Sequence, residues 1–354
     1  MARPKGGQGA LQLGAGAGEA HRDLRRPGEI ALSNEARGYD RGRPPLELVD
    51  CPLCESHDGR VLGREGACFR VLRCKSCGLI YVSPRVVDPE RSFWGAREGY
   101  LAAAEEVLNG REPSFRDPNY NEVLDLLERR IPRGRLLEVG SHLGFALRLA
   151  QARGWEVVGV EPSRPLAELS REYFGVPVLT GLIEEVDLPN ASFDAVLLID
   201  VLEHVKNPRQ FLARVERLLR PGGVVALQLP NTYFTLLKAA VIHKGLRRED
   251  HVVFDAEEHV CHYTESTLAA MLETAGLELI DVRPGRPVQW AGRYQIADGI
   301  AKQHAMPWYR GFGLRASRQA LYLLARAVSA ARPGRVGATA TNMVALARRP
   351  TESC

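Results

Sequence analysis

Leu136-Leu137-Glu138-Val139-Gly140-Ser141-His142-Leu143-Gly144, residues 136–144, decides how this chain is read. A short apolar run, Arg135–Val139, reads as a buried strand. It enters a turn bounded by Gly140 and Gly144, and Gly144–Arg153 then has helical spacing, with Leu147, Leu149 and Ala150 on its apolar side. The alternation continues outward. Glu156–Val160 reads as a strand, Pro165–Phe174 as a helix and Val178–Leu179 as a short strand. Phe193–Ile199 (FDAVLLI) is a buried strand and Pro208–Leu219 an amphipathic helix. Arg220-Pro221-Gly222-Gly223 is a sharp turn before a strand at Val224–Leu229. A helix around Asn121–Arg130 precedes them all. Continuous apolar strands alternating with helices of about 10–15 residues predict an α/β fold with a parallel sheet covered on both faces.

In such sheets ligands bind beyond the carboxyl ends of the strands. Glycines at 140 and 144 allow a tight turn and close backbone approach. The next strand ends at Glu161, whose carboxylate can accept both hydroxyls of a ribose. The pattern therefore offers a nucleoside site. A dinucleotide cradle would want glycine at 142 and 145, where this chain has His142 and Phe145.

Further upstream, Cys51-x2-Cys54 and Cys74-x2-Cys77 stand 19 residues apart. Two such pairs can close four thiolates around one Zn²⁺, with no open position, so the ion would be structural. Cys68, Cys261 and Cys354 read as lone thiols. Seven cysteines, four of them paired this way, argue for a reducing compartment and a cytoplasmic location rather than a disulfide framework.

Composition sets outer bounds. A chain of 354 residues with 45% hydrophobic and 25% charged residues is globular, with about two domains at roughly 100–200 residues each. A net charge of +4 does not mark a nucleic-acid binder. From Pro284 onward, however, 11 Lys+Arg face 2 Asp+Glu, which suggests an anionic group near that end. On a helix read over Gly313–Ala331, Arg315, Arg318, Tyr322 and Arg326 share one face, and Leu314, Leu321, Leu324 and Val328 lie opposite. The expected packing puts the apolar face on the domain and the basic face in solvent, or on an acidic membrane surface.

LLEVGSHLGFALRLAQARGWEVVGVEPS and, further on, GLIEEVDLPNASFDAVLLIDVLEHVKNPRQFLARVERLLRPGGVVALQLPN resemble class I S-adenosylmethionine-dependent methyltransferases. The likeness runs from about Gly134 to Asn231 and resumes at Glu257–Val282, and TNMVALARRP looks like the final antiparallel strand. With the cysteine segment, the chain looks like the subgroup carrying an N-terminal zinc ribbon. The resemblance implies a doubly wound, seven-stranded, mostly parallel sheet preceded by a small zinc ribbon. The corresponding division is a disordered leader at 1–45, the ribbon at 46–84, a connector at 85–120 with a short helix at Leu101–Leu108, and a methyltransferase domain at 121–350. That domain carries a helical insertion at about 285–340.

The resemblance further implies that Glu138, Gly140, Ser141 and Gly144 line the methionine part of S-adenosylmethionine. Glu161 would hold the ribose, Gly181 and Leu182 would flank the adenine, and Asp200 would sit near the sulfonium. His142 and Leu143 fill the space of a third glycine found in many members. Candidate general bases are His204, in Leu202-Glu203-His204-Val205, and His259 and His262. The expected acceptor is a small or carrier-linked molecule, not a nucleic acid; no oligomeric state follows. Arg70, Arg73, Lys75 and Arg85 beside Phe69 and Tyr81 form a basic-aromatic patch that keeps an RNA methyltransferase as an alternative. A non-catalytic cofactor-binding module is another.

Overall fold

The computed structural model describes residues 45–87, 116–246, 251–287, 294–297, 300–303 and 308–351. The expected leader up to residue 44, the helix at Leu101–Leu108 and the side chains of Leu314 and Arg315 lie outside the described residues.

The chain opens with β1 (Leu46–Glu47), β2 (Gly59–Glu65), β3 (Phe69–Cys74), β4 (Ile80–Val82) and β5 (Arg85–Val86). β2, β3 and β4 form an antiparallel meander, and β1 pairs with β5. α1 (Asp117–Glu128) starts four residues earlier than the apolar spacing suggests, because Pro118 is suited to a first helical turn. There follow β6 (Arg135–Val139), α2 (Phe145–Ala152), β7 (Glu156–Glu161), α3 (Arg164–Phe174), β8 (Val178–Thr180) and β9 (Phe193–Ile199). α4 (Pro208–Leu218) leads into β10 (Leu219–Pro230), and α5 (Thr232–Ala239) follows. Arg220–Gly223 is a bulge inside β10 rather than a turn before it: Leu219 lies opposite Phe193, and Val224 opposite Ala195.

The remaining elements are β11 (Cys261–His262), α6 (Glu265–Glu273), β12 (Glu278–Gly285), the hairpin β13 (Tyr294–Ala297) and β14 (Ile300–Gln303), α7 (Trp308–Ala331) and β15 (Asn342–Arg348). Seven strands form one sheet in the order β12-β15-β10-β9-β6-β7-β8. Only β15 runs antiparallel to its neighbours. The strand order reverses between β6 and β9, which opens a crevice at their carboxyl ends. Side-chain alternation feeds two cores: Leu136, Ala195 and Leu197 face α1 and α2, while Leu137, Val196 and Leu198 face α4 and α6.

Two arrangements were decided by tertiary packing. The cysteine module shares its sheet with a segment from late in the chain. β11 pairs antiparallel with β4, setting Cys261 against Tyr81 and His262 against Ile80, so a distant segment becomes the module's fourth strand. α7 is turned over. Tyr322, 3% exposed, is buried and donates its hydroxyl to Glu122 Oε1 at 2.6 Å, whereas Leu321, Leu324 and Val328 are 36%, 52% and 40% exposed. One buried aromatic with a hydrogen-bond partner anchors the helix by the face that spacing alone assigned to solvent.

Candidate functional site

β6 delivers Glu138 and then the turn. Gly140 and Ser141 N–H both donate to the Val160 carbonyl, at 2.8 and 3.1 Å, tying the turn to β7. Gly140 (φ +69°) and Gly144 (φ +76°) are left-handed. A Cβ would fall 2.7 Å from Val201 Cγ2 at the first and 2.1 Å from Ser170 Oγ at the second. His142, where a third glycine was missing, is itself left-handed (φ +53°), and its N–H donates to Glu161 Oε2 at 2.7 Å. That bond offsets a backbone cost of roughly 1–2 kcal/mol. Leu143 is buried.

Glu161 Oε1 also accepts the Ser163 N–H at 2.9 Å, so each carboxylate oxygen keeps a lone pair. Burial pushes its pKa up to about 7, against the pull of those two N–H donors. Burial raises Glu138 well above the carboxylate range. Its Oε2 and the Ser141 hydroxyl are buried without a hydrogen-bond partner. A buried acid with one oxygen left unpartnered beside a glycine turn suits a cationic or donor-rich ligand group, which would repay its desolvation. Gly181 and Leu182 follow β8 on the same side; Gly181 N–H donates to the Glu161 carbonyl at 3.0 Å.

The other side of the crevice gathers the remaining candidates. Asp200 (φ +53°) ends β9, and its Oδ2 accepts Arg116 Nη1 at 2.6 Å. One short turn, Leu202–His204, then places Glu203 and His204. His204 Nδ1 bonds the Glu258 carbonyl at 3.0 Å. The His204 and His259 rings meet edge to face at 4.7 Å, and His259 and His262 at 6.3 Å. Burial, helped at His204 and His262 by the neighbouring His259, lowers the pKa of all three, to about 3, 4 and 3 for His204, His259 and His262. Neutral imidazoles follow. The three histidines thus converge with Asp200, while Glu161, Gly181 and Leu182 stand across β6 from them.

The cysteine module holds this histidine segment. Besides the β4–β11 pairing, Val82 N–H donates to the Val260 carbonyl at 3.0 Å. Buried Glu65 accepts three backbone N–H groups, from Val253 and Phe254 on Oε1 (2.6 Å each) and from Ala256 on Oε2 (2.9 Å). Arg116, Glu65 and Glu203 carry parts of the site that the sequence reading did not assign. Glu203 stood in the quoted Leu202–Val205 stretch, and its acid beside a histidine was the available signal. Arg116 and Glu65 are joined to the site only through contacts 84 and 188 or more residues away.

Cys51, Cys54, Cys74 and Cys77 converge with all Sγ atoms within 4.8 Å of one another. The Cys51–Cys77 and Cys54–Cys74 separations are 3.4 and 3.5 Å. The edge of a Zn–S₄ tetrahedron is about 3.8 Å, and a disulfide is about 2.05 Å. The donor set therefore fits Zn²⁺ and not two disulfides. Burial raises the Cys51 and Cys77 thiols, the latter to about 11, so a cation is what lets all four ionise together.

The chain is similar to known methyltransferases. The family profile described as a methyltransferase domain matches residues 114–282. A ubiquinone biosynthesis O-methyltransferase of Ruegeria pomeroyi is 30% identical over 184 residues, covering 48% of this chain and 71% of the relative. A protein of Mycolicibacterium smegmatis named "Probable S-adenosylmethionine-dependent methyltransferase" is 29% identical over 176 residues, 48% of this chain and 63% of its own length. The chain thus spans a little under two thirds of that relative. Among solved structures, Haemonchus contortus phosphoethanolamine N-methyltransferase 2 in complex with S-adenosyl-L-methionine aligns at 16% identity and a TM-score of 0.47, over 77% of this chain and 64% of the other.

Proposed function

Since the chain belongs to the class I S-adenosylmethionine-dependent methyltransferases, we propose that it methylates a hydroxyl oxygen of a small or carrier-linked acceptor. The acceptor lies on the β9 side of the crevice, walled by the histidine segment that the cysteine module holds. When bound, S-adenosylmethionine supplies an electrophilic methyl group on a sulfonium.

The chain's own residues bind, orient and handle the proton. Gly140 and Gly144 let the backbone approach the methionine part, and Glu138 and Ser141 offer it their unpartnered oxygens. Glu161 accepts the two ribose hydroxyls on the lone pairs its backbone donors leave. Gly181 and Leu182 flank the adenine. Asp200 puts negative charge beside the sulfur, with Arg116 fixing its rotamer. His204, His259 and His262, all neutral, present unprotonated ring nitrogens to the acceptor hydroxyl. Positioning alone can supply about 7–11 kcal/mol of the barrier reduction.

The observation that carries this reading is the convergence of three histidines, Glu203 and Asp200 across the crevice from the glycine turn and Glu161. The choice of oxygen rests on the relatives named as O-methyltransferases. An RNA substrate is less favoured. Of the expected basic patch, Arg85 is buried against Glu47 at 3.0 Å and Lys75 is paired with Asp58 at 2.8 Å. Isothermal titration with S-adenosylhomocysteine, followed by a panel of phenolic and aliphatic alcohols with labelled cofactor, tests the proposal. Binding with label transfer to oxygen is expected, and no binding at millimolar ligand overturns it.

A further inference from the structure

A surface helix ordinarily turns its apolar stripe inward and its charges outward. α7 does the reverse. It packs against β12 with Tyr322 and Ala325 buried, while Leu321, Leu323, Leu324 and Val328 are 36%, 55%, 52% and 40% exposed. At about 100° per residue, these four side chains and the exposed Ala320 and Ala327 between them cover about 160° of the circumference over Ala316–Ala331. No charged residue interrupts that arc. Arg326 borders it on one side and Arg332, immediately past the helix, on the other; both are exposed. Single leucines on a surface are ordinary, but a contiguous apolar face marks an interaction site.

The charge around this face selects its occupant. Between Asp298 and Glu352 the sequence has nine Lys and Arg and no Asp or Glu. A second copy seated on the face would set arginine against arginine, with no acid from this segment to compensate them. An anionic lipid surface satisfies both features together: acyl chains take the leucines and headgroups take the arginines. The long arginine stems can reach the headgroups while the leucines lie deeper. Among the described residues no helix is long and apolar enough to cross a membrane, so α7 would lie in the plane of the interface. The Tyr322 hydroxyl, donated to Glu122 Oε1, holds the helix on the domain, so its outer face is presented already folded and little ordering is left for binding to bear.

We propose that α7 docks this protein on an anionic membrane surface, with Leu321, Leu323, Leu324 and Val328 among the acyl chains and Arg326, Arg332 and Arg335 at the headgroups. The side that meets lipid is the leucine face, not the arginine-tyrosine face expected from spacing. Docking through this face is independent of which acceptor the crevice takes.

Vesicle flotation of the full-length protein tests this. Wild type should float with vesicles of phosphatidylcholine mixed with phosphatidylglycerol and much less with phosphatidylcholine alone, and added salt should weaken the binding. Leu323→Glu combined with Leu324→Glu should weaken it by about 10-fold or more, since two apolar side chains leave the acyl region and two anions enter. Arg326→Gln combined with Arg332→Gln should weaken it by about 30-fold on the mixed vesicles. S-adenosylhomocysteine titration run in parallel should give the wild-type affinity in both variants and reports on the cofactor pocket separately from lipid. Wild type that binds S-adenosylhomocysteine but does not float with the mixed vesicles overturns the docking and leaves the methyltransfer reading standing. Flotation indifferent to both double substitutions overturns α7 as the docking element. A lipid-free dimer in sedimentation velocity that the leucine substitutions split would assign the face to a second copy and overturn the proposal. If the leucine variant does not fold, the arginine variant decides by the same flotation readout.

Discussion

Glu65→Gln probes how the cysteine module governs the active-site wall. In the native protein one carboxylate satisfies the N–H groups of Val253, Phe254 and Ala256 at 2.6, 2.6 and 2.9 Å. Bonds to a charged acceptor contribute about 1.5–3 kcal/mol each. Glutamine is nearly isosteric, and its carbonyl oxygen can keep the two bonds to Val253 and Phe254. Its NH₂ group then faces the Ala256 N–H, donor against donor, at a buried position. One charge-assisted bond is lost, and the other two weaken to ordinary strength. The expected cost is about 2–4 kcal/mol, mostly as local opening of residues 253–259. Hydrogen exchange of the Val253, Phe254 and Ala256 amides should accelerate by about 30- to 1,000-fold, since 1.4 kcal/mol is a factor of ten. Amides in β6 and β9 should keep their protection, because they pack in a core that Glu65 does not touch. Unchanged exchange at 253–256, or a uniform rise across the whole chain, would refute the reasoning.

Other outcomes follow from the same geometry. Glu161→Ala should weaken S-adenosylhomocysteine binding by about 1–3 kcal/mol in calorimetry, since a charged acceptor is removed; equal affinity would show that the ribose lies elsewhere. Glu161 titrates near 7 in the folded protein through burial. Its protonated form must lose a proton to accept two hydroxyls, so affinity should fall as pH drops below about 7 and level off above it, and Glu161→Gln should flatten the profile. The sign for stability is the reverse. A raised carboxyl pKa stabilises the unliganded fold below its unfolded value near 4.5, and that contribution is lost as pH rises through about 7, which thermal melts of wild type against Glu161→Gln will read. Cys74→Ser should release one metal equivalent and deprotect the Cys261 and His262 amides, which pair with β4; intact protection there would separate the module from the site. Gly140→Ala places a Cβ 2.7 Å from Val201 Cγ2 at φ +69°, and should lower both melting temperature and cofactor affinity.

The sequence by itself determined the parts whose signals are local. A strand covered on both faces must be apolar along its length, so FDAVLLI and LLEV declared themselves. A turn that needs left-handed backbone declared itself through Gly140 and Gly144. Tetrahedral thiolate ligation needs close cysteine pairs, so the spacing of Cys51, Cys54, Cys74 and Cys77 carried that site. Only the tertiary structure decided which segments meet. The pairing of Cys261–His262 with Ile80–Val82 has no local signature, because two residues of strand are too short to show a period. The faces of α7 could be counted from the sequence, yet which face is buried depended on Glu122 waiting for the Tyr322 hydroxyl. Whether Glu203 is a surface acid or a buried carboxylate without a partner beside two imidazoles is likewise a property of its surroundings. Burial and partnership arise when distant segments pack, and no window of sequence contains them.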